Sequence, residues 1–89
     1  MRFVLDGSSV GSREALHRTL AAGLRLPDWY GGNLDALHDC LTDITEPTEL
    51  VIRGGAALEM ALGGYSKALR RVLADCAAEN EMFSVTWEE

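Results

Sequence analysis

The sequence predicts an α/β fold, a small parallel sheet covered by helices in the order β-α-α-β-α-α-β. Short β-forming runs stand at the start (Arg2-Phe3-Val4-Leu5), the middle (Leu50-Val51-Ile52) and the end (Phe83-Ser84-Val85-Thr86-Trp87). Each interval between them holds two stretches of helical periodicity, and strands joined through helices make right-handed parallel crossovers. The middle run is continuously apolar between Pro47-Thr48 and Gly54-Gly55, which predicts a strand covered on both sides.

The elements follow from local signals. Asp6-Gly7 is a turn pair that ends the first strand. Ser12 caps the first helix, Glu14 lies favourably in its first turn, and Leu16, Leu20 and Leu24 mark its buried face. Pro27 stops that element, leaving residues 27–32 as a loop. Asn33 is a good N-cap for a second helix reaching Ile44, with Leu34, Leu37, Leu41 and Ile44 on its apolar side. Ala56 to Leu62 fits a short helix ended by Gly63-Gly64. Ser66 is expected to cap the last helix, whose stripe is Leu69, Val72, Leu73 and Cys76, and strict alternation closes the chain as a strand.

At 89 residues the chain is expected to form one domain, with a core large enough to fold alone. Charge is distributed unevenly. Between Arg25 and Arg53 there is no Lys or Arg, while Asp28, Asp35, Asp39, Asp43, Glu46 and Glu49 all lie there. The remainder holds eight acids and eight bases, so this segment accounts for the formal charge of −6. Such a chain is a poor ligand for nucleic acid or anionic lipid, which need clustered Lys and Arg. The first residues meet a charge and a glycine too soon for a signal-peptide core, and no run approaches the roughly 18 apolar residues of a membrane span. A cytoplasmic location is expected. Cys40 and Cys76 read as reduced, partly buried thiols. They do not stand at metal-ligand spacing with His17 and His38, so neither metal nor cofactor is expected.

Asp35, Asp39 and Asp43 recur every four residues and stack along one helical edge. Like charges at that spacing cost a helix roughly 0.2–0.5 kcal/mol per pair, so the stripe points to a surface made for a basic partner. Beside it stands Leu26-Pro27-Asp28-Trp29-Tyr30-Gly31-Gly32, with adjacent aromatics in a glycine-flanked loop. One reading makes this a turn and cap with Trp29 and Tyr30 over the core edge. The other takes an aromatic pair beside charged groups as an interface hot spot.

The run Leu26 to Thr42 (Leu-Pro-Asp-Trp-Tyr-Gly-Gly-Asn-Leu-Asp-Ala-Leu-His-Asp-Cys-Leu-Thr) resembles the barstar family of intracellular ribonuclease inhibitors, and the likeness covers nearly the whole chain. The resemblance implies a three-stranded parallel sheet flanked by helices. It also implies tight 1:1 inhibition of a microbial guanyl-specific ribonuclease of the barnase and T1-like superfamily, by a protein that is monomeric when free. Asp39 is then the acid that occupies the nuclease phosphate position, accepting charge-assisted bonds from its arginines and histidine. Asp35 and the Trp29-Tyr30-Gly31 loop flank it, Asn33 and Leu34 share that edge, and Thr42 and Asp43 lie further along the rim. Asp75 is the acid expected from the last helix. The chain departs from the family's founding member at His38, where that member has a large indole, at Trp29 in place of a tyrosine, and at Asp43 in place of a small residue.

Other chemistries fit less well. Paired carboxylates act as acid and base when burial raises one pKa, and an open helical edge without a nucleophile does not supply that, so no enzyme is expected. Calcium needs ligands at alternate loop positions. Phosphate at the helix start would be repelled by Asp28, Asp35 and Asp39. The standing alternative is an acidic interaction module of the same fold bound to another basic protein.

Overall fold

The computed structural model describes residues 1–89. Strands β1 (Arg2–Asp6), β2 (Thr48–Arg53) and β3 (Phe83–Glu88) form one parallel sheet in the order β1-β2-β3. From β1 the chain passes through a 3-10 turn (Gly7–Ser9), then α1 (Arg13–Gly23) and α2 (Leu34–Thr42), to β2. From β2 it passes through α3 (Gly55–Leu62) and α4 (Gly64–Glu79) to β3. The α/β class and the element order are those the sequence predicts.

Both crossovers step to the next strand in the same direction, so crossovers of one hand place their helices on one face of the sheet. Leu5, Leu50, Ile52 and Phe83 accordingly join a core with leucines from all four helices, among them Leu16, Leu41, Leu58 and Leu73. Alternation sends Val4, Val51 and Thr86, which pair in one row, to the opposite face. β2 is thus buried on both sides, as its apolar run predicts, but helices cover only one of them. Val51 is 1% exposed without belonging to the helical core. Its neighbours there are Val4, Thr86 and the ion pairs Arg2–Glu49 (3.3 Å) and Arg53–Glu88 (3.2 Å) in the adjoining rows. A central strand is shielded by its neighbours' side chains even where no helix lies above it.

The ends of the helices aim the functional segment. At the start of α1 the Ser12 hydroxyl accepts from Ala15 N at 3.1 Å. At its end Leu26 N donates to Ala21 O at 2.9 Å, closing a Schellman-type turn. Arg25 takes the left-handed position of that turn (φ 54), where glycine is usual and other residues are strained by about 1–2 kcal/mol. Between α3 and α4, Gly63 (φ 59) reverses the chain so sharply that α4 begins at Gly64. Ser66 is therefore inside the first turn, its hydroxyl donating to Gly63 O at 2.9 Å, and not the cap the sequence suggested. The same shift puts Tyr65 in that turn, facing α1.

Asn80, just past α4, closes the C-terminal end of α2. Its amide nitrogen reaches the carbonyls of Leu41 (3.0 Å), Thr42 (3.4 Å) and Ile44 (2.9 Å), while its oxygen accepts from Met82 N (3.0 Å). One side chain thereby gathers two carbonyls from the last turn of α2 and one from Ile44 just beyond it.

Candidate functional site

Helix α2 is held from both ends and from below. Asn33 Oδ1 accepts from Ala36 N at 2.8 Å at its start. Leu37 and Leu41 are fully buried against the core, which turns Asp35, Asp39 and Asp43 outward along one edge. Asp43 is the C-cap, so the carboxylate row spans the whole helix, about 12 Å at 1.5 Å per residue. The arginine ion pairs, Arg2–Glu49, Arg53–Glu88 and Arg70–Glu89, all lie on or beside the sheet, and none reaches this edge. Asp39 is 75% exposed at its side chain, with only His38 Nδ1, at 3.8 Å, as a basic neighbour. No arginine or lysine offsets the repulsion along the row.

His38 stands between α2 and α4. Its Nε2 meets Glu79 Oε2 at 2.6 Å, and that hydrogen bond raises its pKa against an opposing desolvation, with the charges of Glu79 and Asp39 adding to the rise. Glu79 thus belongs to the same anionic face. Asp75 is exposed one helical turn before it, on the same edge of α4. Thr42 is half-buried and its hydroxyl donates back to His38 O at 2.9 Å, so its polar atom is already engaged by its own helix. Beneath this face lie two inert thiols. Burial pushes the Cys40 thiol up and the Cys76 thiol to about 11, far from the thiolate form that reacts.

The two loop aromatics separate in role. Trp29 is 63% exposed and its ring projects from the loop. Tyr30 is half-buried against the core, with its hydroxyl turned inward to hydrogen-bond His17 Nδ1. His17 Nε2 in turn meets the Tyr65 hydroxyl at 2.6 Å, and the Arg13 guanidinium lies 4.4 Å over the Tyr65 ring. Burial holds His17 below the ordinary imidazole pKa, opposed by the charge of Glu14. Burial likewise raises the pKa of the Tyr30 phenol, so its hydroxyl keeps its proton. Gly31 and Asn33 are exposed, Gly32 takes φ 69 to turn the loop into the helix, and Leu34 packs half-buried on the core.

Of the residues singled out from sequence, Trp29, Gly31, Asn33, Asp35, His38, Asp39, Asp43 and Asp75 share one exposed face of α2, its loop and α4. Tyr30, Leu34 and Thr42 lie at that face but turn their bonding atoms or side chains inward. The sequence reading missed Glu79, which the four-residue spacing from Asp75 could have indicated. It also missed His17, whose place beside Leu16 and a turn before Leu20 marks a buried histidine in need of partners.

Fold and face define a class: a small α/β protein that presents a row of exposed carboxylates, paired with no arginine or lysine, beside an exposed aromatic. Comparison with known proteins narrows this. The family model described as Barstar (barnase inhibitor) matches residues 1–88, and the chain belongs to that family. A relative from Bacillus subtilis strain 168, named "Putative ribonuclease inhibitor YrdF", is 35% identical over 79 residues, covering 88% of this chain and 87% of its own length.

Proposed function

We propose that the protein inhibits a guanyl-specific ribonuclease inside the producing cell, as a cofactor-free 1:1 plug of the enzyme's active site. The observation that carries this reading is the row Asp35, Asp39 and Asp43, exposed, unpaired with any arginine or lysine, and set beside the exposed Trp29. Membership of the family and the ribonuclease-inhibitor name of the relative support it.

A ribonuclease must stabilise a phosphorane with cationic donors. Asp39, near the middle of a rigid helix, offers such donors a carboxylate in place of phosphate, with charge-assisted hydrogen bonds at each oxygen. Asp35 on one side and Asp43 on the other extend the negative field, which steers a basic enzyme into contact. Trp29 supplies a flat ring of the kind on which a base or a histidine stacks. The acids Glu79 and Asp75 widen the anionic face toward α4. No helix is long and apolar enough to cross a membrane.

The test is hydrolysis of RNA by a panel of small guanyl-specific ribonucleases titrated with this protein. Stoichiometric loss of activity for one of them is expected. Full activity of every enzyme in the presence of folded protein contradicts the proposal and moves the partner to another class of basic protein.

A further inference from the structure

The exposed loop that carries Trp29 is lightly attached. Across residues 27–32 the backbone makes one internal hydrogen bond, Tyr30 N to Pro27 O at 2.9 Å. A single hydrogen bond ties this segment to the rest of the protein, between the Tyr30 hydroxyl and His17 Nδ1. Open clefts of about 380 and 390 Å³ flank the loop at Gly32, one beside Arg13 and Tyr65, the other beside Glu14 and Arg18. Packing beneath the glycines is therefore thin, and the tyrosine is the loop's one polar anchor.

We propose that His17 is a positioning residue for the binding face: through the chain Tyr30–His17–Tyr65 it clamps the loop that carries Trp29 to α1 and α4. A neutral imidazole has one acceptor and one donor nitrogen, so one phenol donates to it and the other accepts from it. Both nitrogens are thereby used, and no buried side-chain polar atom is left without a partner. The Tyr65 ring is itself braced by Arg13 at 4.4 Å. The clamp fixes Trp29 before contact, which spares the complex the ordering of a mobile loop. Tyr30 then serves by its inward hydroxyl and not by touching a partner through it. The effect on binding rests on the inhibitor reading; the effect on the loop does not.

Two measurements separate these. In the free protein, Tyr30→Phe is expected to lower the {1H}-15N heteronuclear NOE of Gly31 and Gly32 while α1 and α4 stay as rigid as in the wild type. Against a ribonuclease that the wild type inhibits, Tyr30→Phe is expected to bind about three- to tenfold more weakly, the loss of one hydrogen bond. His17→Phe should bind at least as weakly, and the double variant no more weakly than His17→Phe, because it also removes the stranded phenol. Losses that multiply place the hydroxyl against the partner and overturn the clamp. An unchanged NOE in Tyr30→Phe overturns it whatever the enzymes show, and serves as the deciding measurement if His17→Phe does not fold. A lowered NOE with unchanged inhibition sustains the tether and removes its role in binding. Failure of the wild type to inhibit any ribonuclease defeats the inhibitor reading alone and leaves the NOE to decide the clamp.

Discussion

Replacing Asn80 tests how the anionic helix is held. Its amide nitrogen faces three carbonyls at the end of α2, at 2.9, 3.0 and 3.4 Å, and its oxygen holds Met82 N at 3.0 Å. Two N–H protons serve three acceptors, so truncation to Ala removes two good donor bonds and one acceptor bond. At about 0.5–1.5 kcal/mol each, with water reaching part of the site, the loss is about 2–3 kcal/mol. A domain of this size has a total stability of only about 4–13 kcal/mol. The melting temperature should fall by about 8–24 °C, at about 4–8 °C per kcal/mol. Asn80→Asp sharpens the test, since it keeps the acceptor for Met82 N but turns an anionic oxygen toward the three carbonyls. It should be less stable than Asn80→Ala at neutral pH and should recover part of the difference when acidified. Thermal and urea unfolding by circular dichroism read both variants. An Asn80→Asp variant as stable as the wild type would refute the capping role, because no donor would then be needed there.

Three further outcomes are expected. Arg25→Gly relieves the left-handed strain at the end of α1 and should stabilise the protein by about 0.5–1 kcal/mol, net of the glycine's greater freedom when unfolded; a lower melting point would contradict the strain assignment. The two histidines should titrate on opposite sides of about 6.5 in an NMR pH series, His17 below it through burial and His38 above it through Glu79. By linkage, the His17 contribution is lost as pH falls below about 6.5, where the unfolded chain takes a proton that the folded one refuses. The His38 contribution, small because the group is exposed, is present below that value and lost as pH rises through its raised pKa; titration of both at one value would remove the environments described. Trp29→Ala should leave the unfolding free energy within about 1 kcal/mol of wild type yet weaken partner binding by about 2 kcal/mol or more, and an unfolded variant would make Trp29 a core residue after all.

What was legible in the sequence is what is encoded locally. Ser12 and Asn33 announce their helices because a cap needs only its own turn, and the leucine periodicities of α1, α2 and α4 read directly as buried faces. The carboxylate row was legible because four-residue spacing fixes a helical edge. Features decided by distant chain were not. Val51 looks like a strand buried under two layers, and only the strand order shows that its second face has no helix. Tyr30 resembles its neighbour Trp29 in sequence, but a histidine 13 residues earlier turns its hydroxyl inward. Glu79 and Asn80 reach α2 across separations of 41 and 39 residues, beyond any local pattern. Ser66 has the look of a cap, and a positive φ at Gly63 displaced the helix start past it.

The central claim is that Asp39 serves as the partner's false phosphate and that the rest of the row mainly steers. The most direct measurement is the dissociation constant of Asp39→Ala and of Asp43→Ala against the same inhibited ribonuclease. Truncating one side of a desolvated, hydrogen-bonded charge pair costs about 2–5 kcal/mol, so Asp39→Ala should bind about 30- to several-thousand-fold more weakly. An exposed rim charge is worth about 1 kcal/mol or less, so Asp43→Ala should lose no more than about fivefold. Equal, modest losses in the two variants would contradict the claim and leave a diffuse acidic surface in place of an active-site plug.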